Sequence, residues 1–376
     1  MHVAADIAPV SGGVPAVVRR LSEKLAACGI PVQIAFATGD PGPLHPGIEL
    51  CKFPASGAAA AWAWGPGLRS GLAGLAARSD NCRPVFHIHG VWAAPQYFAA
   101  GYAHSAGVPF IVTAHGMLEP WLLNEQGFRI SIKKRLYWKI FACRALSRAN
   151  VVHAITPQDR EHLSRLFPHN RIEIIPNAVD TDEYIESPGA ERSRKILFLG
   201  RIEPKKGVDL LLTAFAQARI SAEWSVDVAG PVWSDSYMAG LRSLVVKFGI
   251  EKRVRFRGPV FGAEKNSLMD QAWFMAVPSH SEVIGLVNLE AAARRLPTIT
   301  THETGLHDWE SGGGVLIRPE VASLKKAVED ACSWNKRERD DRGAAGRRLV
   351  EQRYSWKAVL PLWLQLYDSL ASGPAG

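Results

Sequence analysis

The feature that most limits how this chain can fold is a pattern that occurs twice. Short apolar runs of strand length alternate with longer amphipathic stretches of helix length. The first series of runs is Val32–Ala37, Val85–His89, Phe110–Ala114, Val151–Ile155 and Ile172–Ile175. The second is Lys195–Leu199, Ser225–Ala229, Val254–Arg257, Phe274–Pro278, Thr298–Thr301 and Val315–Ile317. Helix-length segments such as Val14–Ala27, Arg129–Ser147, Val208–Ala218 and Leu286–Arg294 lie between them. Apolar strands separated by helices predict parallel sheets covered on both faces. Pro176 to Asp180 ends the first series, and a polar stretch, 181–194, leads into the second, so a linker is expected near 177–194. An amphipathic helix, about Trp356–Leu370, follows. The expected architecture is α/β, with two Rossmann-like, doubly wound parallel-sheet domains facing across a cleft. They would span 1–180 and 190–355, with 356–376 as a terminal helix. Ligands of such sheets bind beyond the carboxyl ends of the strands, so function is to be read just after each strand.

Composition narrows the partners. The chain has 376 residues, 47% hydrophobic and 21% charged, enough apolar material for two cores. Its net charge of +8 favours anions such as nucleotides, phospholipid headgroups or nucleic acid. The five cysteines, Cys28, Cys51, Cys82, Cys143 and Cys332, have no metal-motif spacing and are odd in number, which fits a reducing cytoplasm. The first ten residues lack the stretches of a signal peptide, and no run of about 18 uncharged apolar residues is present. A cytoplasmic protein is expected, with any membrane contact peripheral.

Five stretches could carry chemistry. Pro278 to Glu290 leads from a strand end into a helix starting near Leu286. Free N–H groups there would bind a diphosphate or sugar oxygens, and Glu282 and Glu290 could accept hydrogen bonds from sugar or ribose hydroxyls. A solvated loop glutamate and a dipole-favoured first-turn glutamate would look the same. Gly200 to Gly207 follows another strand and brings Arg201 and Lys206 to its end, suited to a pyrophosphate leaving group. An ordinary basic loop is the bland alternative, and P-loop spacing is absent. Gly12 and Gly13 open the first long helix and permit close backbone approach. No Gly-x-Gly-x-x-Gly fingerprint is present, which counts against an NAD enzyme. His115 ends a strand and could bond a sugar hydroxyl or carry a proton. His87 and His89 share a face of their strand; with no carboxylate nearby, a structural or lining role is favoured over metal ligation. Finally, Trp121–Arg148 interleaves Trp121, Phe128, Tyr137, Trp138 and Phe141 with Arg129, Lys133, Lys134, Arg135, Lys139, Arg144 and Arg148. This suits either an anionic membrane surface or a domain helix with an aromatic core face. No recognition motif supports nucleic acid.

Together these pieces resemble family 4 of the retaining glycosyltransferases, which has the GT-B fold, over nearly the whole chain. Glu282 and Glu290 match the family's E-x7-E motif, and Gly200-Arg201 with Lys206-Gly207 its diphosphate loop. His115 matches its active-site histidine, Ile175–Asp180 its linker, and Tyr354-Ser355-Trp356 the start of the helix that returns to the first domain. The resemblance implies that Arg201 and Lys206 hold the leaving diphosphate. Glu282, with the backbone of Ile284, Gly285 and Leu286, would contact the donor sugar. Glu290 would bind ribose, while Gly12 and Gly13 approach the donor and His115 positions the transferred sugar. It also implies retention of configuration, no catalytic metal, and no cofactor beyond a UDP- or GDP-linked sugar. The leading reading is a hexosyltransferase acting on a glycan or lipid-linked saccharide acceptor in cell-surface polysaccharide synthesis, and its placement at the cytoplasmic face of the inner membrane rests on Trp121–Arg148 and the net charge. Glu282-Val283-Ile284-Gly285 departs from the usual Glu-Gly-Phe-Gly, Arg294 and Arg295 replace small residues, and Glu303–Leu306 replaces a Gly-Gly turn. These departures bear on donor choice. The competing readings are a non-catalytic nucleotide-binding scaffold and, on the same fold, a sugar-nucleotide epimerase or phosphorylase.

Overall fold

A computed structural model describes residues 1–77, 83–119, 128–185 and 191–373. The chain divides into two compact units: Met1–Asn177 together with Val359–Gly376, and Ala178–Ala358.

The first unit holds a sheet of seven strands: β1 (His2–Val3), β2 (Val32–Phe36), β3 (Ile48–Lys52), β4 (Phe86–His89), β5 (Phe110–Thr113), β6 (Val151–Ala154) and β7 (Arg171–Ile174). Their order is β3-β2-β1-β4-β5-β6-β7, with every neighbouring pair parallel. The second unit holds six: β8 (Lys195–Leu199), β9 (Ser225–Ala229), β10 (Val254–Gly258), β11 (Phe274–Val277), β12 (Thr298–Thr301) and β13 (Val315–Ile317). They are also all parallel, in the order β10-β9-β8-β11-β12-β13. Each sheet is doubly wound, as the alternating pattern predicts. The eleven apolar runs match strands to within a residue at either end. The pattern passes over β1, which is only two residues long, and β3, whose Ile-Glu-Leu-Cys-Lys sequence is half exposed.

Burial explains why these runs become strands. β4, β5, β6, β11 and β12 are buried at every residue, and only a backbone paired on both sides can lie so deep without unsatisfied amides. Phe86, Ile88, Phe110 and Val112 anchor the first core; Ile196, Phe198, Phe215 and Phe274 anchor the second. The helix Trp356–Ala371 lies in the first unit from Val359 onward, where Trp363 and Tyr367 pack against His87.

The arginines after the helix Leu286–Ala293 do not act alike. Arg294 is buried and forms a two-pronged ion pair with Asp270, Nε to Oδ1 at 2.9 Å and Nη2 to Oδ2 at 2.5 Å. Arg295 is exposed and left-handed (φ +55°). Arg294 therefore ties that helix to the helix Gly262–Gln271. Removing one member of a buried pair strands the other charge, a loss of about 3–5 kcal/mol. Asp270→Ala should destabilise the second unit by that amount in denaturant unfolding; a change within about 0.5 kcal/mol would deny the pair this role.

Candidate active site

In the second unit the winding reverses between β8 and β11, the crevice where doubly wound sheets bind ligands. The loops leaving these strands are locked together. Gly200 has φ +151°, and a Cβ on Gly230 would overlap its carbonyl. Lys206 ends a short 3-10 turn, Pro204–Lys206, and left-handed Gly207 (φ +67°) opens the helix Val208–Gln217. A Cβ on Gly207 would overlap the Pro278 carbonyl, so only glycine permits this approach. The His280 N–H then donates to the Lys205 carbonyl at 2.8 Å. This contact delivers the ammonium of Lys206 to Oε2 of Glu282, both side chains being about four-fifths buried. Arg201 is exposed, 3.6 Å from the Glu203 carboxylate.

The Glu282 N–H donates to the Glu303 carbonyl at 3.1 Å, holding the loop against the end of β12. Val283 and Ile284 are buried, so the bulk that Val283 brings goes into packing. Gly285 is the N-cap of the helix Leu286–Ala293, which no side chain caps. A Cβ at Gly285 would crowd the Asn288 amide, which donates to Thr300 at 3.3 Å. Glu290, one turn into this helix, is held twice: Tyr184 donates to Oε1 at 2.9 Å and Lys265 to Oε2 at 2.5 Å. Arg347 fixes the segment carrying Tyr184, donating to the carbonyls of Thr181, Tyr184 and Ala293 at 2.8, 3.0 and 2.6 Å. Ser279 Oγ, Asn288 Oδ1 and Glu303 Oε2 are buried without a partner among the described residues. The second unit thus assembles two lysine-neutralised carboxylates, an uncapped helix start and the cation of Arg201. Such a set can take both an anion and hydroxyl groups.

Gly12, Gly13 and His115 belong to the first unit. Gly12 (φ +108°) is the N-cap of the helix Gly13–Ala27, and Gly13 is exposed with nothing within 4 Å of where a Cβ would sit. His115 is left-handed (φ +52°) in the turn after β5. A conformation of this kind costs a non-glycine residue about 1–3 kcal/mol and gathers at functional sites.

Behind His115 lies a set of buried imidazoles on β1, β4 and β6: His2, His87, His89 and His153. His115 Nε2 meets His89 Nδ1 at 2.9 Å, and His89 Nε2 meets His2 Nδ1 at 2.9 Å. His87 bonds Tyr367 and Thr113, each at 2.7 Å; Thr113 bonds His153 at 2.9 Å, and His153 the Ile175 carbonyl at 2.7 Å. Burial lowers all five histidine pKa values. His115 falls to about 3, helped by His153, and His153 to about 4 despite its carbonyl partner. His2, His87 and His89 fall well below their ordinary value, first by burial and then by neighbouring positive groups. Among the described residues, His2, His87 and His89 each offer a ring nitrogen within 4.8 Å of the others, the geometry from which a metal ion could be held. His87 and His89 are buried and hydrogen-bonded, as a structural role requires, and with His2 they also have the spacing of a metal site. Sequence reasoning did not find Tyr184, Lys265, His2 or His153. The signal for His153 was present, a histidine inside the apolar run Val151–Ile155.

Acid stability follows from these rings. They are neutral when folded and protonate near pH 6.5 when unfolded, so their stabilising effect is full above about pH 6.5 and fades as pH falls towards 4 and 3. The first unit should take up about one proton or more on unfolding between pH 6 and 4. Unfolding free energy that stays flat over this range would contradict neutral burial.

Two family profiles cover most of the chain: "Glycosyltransferase Family 4" over residues 11–183 and "Glycosyl transferases group 1" over 180–348. Among curated relatives, the D-inositol 3-phosphate glycosyltransferase of Kineococcus radiotolerans is 29% identical over 60% of this chain, which spans 58% of that protein's length. The GDP-mannose:cellobiosyl-diphosphopolyprenol alpha-mannosyltransferase of Xanthomonas campestris is 24% identical over 77% of this chain and 75% of its own. Among solved structures, Anabaena Alr3699/HepE in complex with UDP and glucose superposes with a TM-score of 0.75 at 17% identity, covering 99% of this chain and 100% of that one. The chain belongs to family 4 of the glycosyltransferases and has the GT-B fold.

Proposed function

We propose that this glycosyltransferase is a retaining, metal-independent hexosyltransferase. It moves a hexose from a UDP- or GDP-linked donor to a glycan or lipid-linked saccharide acceptor in cell-surface polysaccharide synthesis. The observation that carries the reading is the lysine-paired carboxylates at the switch point of the second sheet, Lys206–Glu282 and Lys265–Glu290. Glu290, steadied by Tyr184 and Lys265, accepts hydrogen bonds from ribose hydroxyls. Arg201 and Lys206 hold the diphosphate and stabilise the charge that grows on it as the sugar leaves. Glu282, with the backbone of Ile284, Gly285 and Leu286, orients the hexose. Gly12 and Gly13 give the donor a close backbone approach, and His115 bonds the transferred sugar. The relatives' names support such substrates: one is a GDP-mannose enzyme acting on a lipid-linked diphosphate, and one neighbour was solved with UDP and glucose.

The partner surface extends to a membrane. Trp121 lies outside the described residues. In the segment that follows, Ile132, Leu136 and Ile140 are exposed at successive helical turns, with Phe141 exposed beside them. Arg135, Lys139 and Arg144 are exposed among them. We read this stripe as seated on the anionic cytoplasmic face of the inner membrane. No described helix is long and apolar enough to cross one.

Thermal unfolding with UDP, GDP and their sugar conjugates, each with and without EDTA, tests the reading. One base should raise stability by about 2.7 kcal/mol at a hundredfold excess over Kd, regardless of EDTA. No shift with any nucleotide would overturn it. Lys206→Ala should lower kcat about 10²-fold or more, and near-wild-type turnover would remove Lys206 from leaving-group stabilisation. Leu136→Ser with Ile140→Ser should abolish flotation with phosphatidylglycerol vesicles; undiminished flotation would remove the membrane from this surface.

A further inference from the structure

The buried hydrogen bonds of the first unit obey a strict donor count. The Ile175 carbonyl can only accept, so His153 carries its hydrogen on Nε2 and accepts at Nδ1. Thr113 donates to that Nδ1, leaving its oxygen to accept from His87 Nε2. His87 then accepts at Nδ1 from Tyr367, whose hydroxyl burial keeps protonated. Every hydrogen in this first row is fixed by one carbonyl, and both nitrogens of His87 are in use.

The second row, His2–His89–His115, has no such anchor. His89 has one ring hydrogen for two ring partners, so one neighbour must donate to it and the other accept. Two arrangements satisfy the row. In one, His115 donates from Nε2 and its Nδ1 is bare. In the other, His2 donates to His89, His89 donates to His115, and His115 Nδ1 carries the hydrogen. That Nδ1 has no partner among the described residues, and the residue is half-buried. It is the atom that can meet a ligand. The rings of His87 and His89 lie 4.0 Å apart, and each is held at both nitrogens.

We propose that His89 and His2 are positioning residues for His115: the hydrogen-bonded row of three rings couples the hydrogen of His115 to those of His89 and His2, and through that coupling sets whether the ring donates to or accepts from the donor substrate. The proposal rests on the reading above that His115 bonds the transferred sugar.

The test is nitrogen NMR of the ligand-free full chain carrying ring-15N histidine, with His115→Asn identifying the His115 signals. In the unaltered protein His2, His89 and His115 should show matching tautomer populations, because each arrangement places all three hydrogens on Nε2 or all three on Nδ1. His2→Phe, which touches no atom of His115, should shift the tautomer ratio tenfold or more. His89→Gln should do the same, and a retained melting temperature shows that either variant folds. Unmatched tautomer populations among the three rings in the unaltered protein, or an unmoved ratio in both folded variants, would overturn the proposal. So would one equivalent of zinc in the purified protein that His2→Phe removes, since a metal would claim the nitrogens of the row. In turnover, His2→Phe should lower kcat at least tenfold while the Kd for the bound nucleotide stays within twofold. A shifted tautomer with unchanged kcat would uphold the row and overturn the sugar-binding role of His115.

Discussion

In both sheets every strand runs parallel, and that constraint arranges the rest. A parallel sheet sends all its strand ends to one edge, so residues far apart in sequence arrive there together. Lys206, Glu282 and Glu303 follow β8, β11 and β12, and each belongs to a different loop. What turns proximity into contact is backbone fit. Gly200 against Gly230, and Gly207 against Pro278, bring loop backbones closer than any side chain allows. The Lys206–Glu282 pair is a product of that closeness, since a lysine one loop further out would simply be solvated.

The same edge explains how much the sequence could reveal. Apolar strands between helices announced both sheets, because burial on two faces forces a continuous apolar run. The loops after those strands exposed Arg201, Lys206, Glu282, Glu290 and His115 as candidates. Partners brought in by the fold were harder to see. Tyr184 lies in a stretch that reads as linker, and Lys265 in a helix that carries no motif; both reach Glu290 through tertiary contacts alone. His2 escaped because a two-residue strand has no period to detect. Arg294 looked like an intrusion into a small-residue region, and only the buried carboxylate of Asp270 explains it.

The two units solve the problem of buried polarity in opposite ways. The second pairs opposite charges, Lys206 with Glu282, Lys265 with Glu290 and Arg294 with Asp270. The first buries a group of imidazoles, stripped of charge by desolvation, and joins them to Thr113, Tyr367 and a carbonyl. Ion pairs tolerate approximate geometry, because Coulomb attraction falls slowly with distance. A row of neutral rings does not, because each link needs one donor and one acceptor in line.

The internal pairing of both glutamates has a consequence for how a ligand enters. Each carboxylate already has a resident counter-ion, so neither Lys206 nor Lys265 is an open cation at the end of the second sheet. Any anion drawing on Lys206 must share it with Glu282, and any hydroxyl reaching Glu290 must fit beside Tyr184 and Lys265. Binding here is therefore a trade of partners. An anion that engages only one cation gains little over the pairing it disturbs, whereas a molecule carrying charge and hydroxyls at the right spacing replaces several contacts at once.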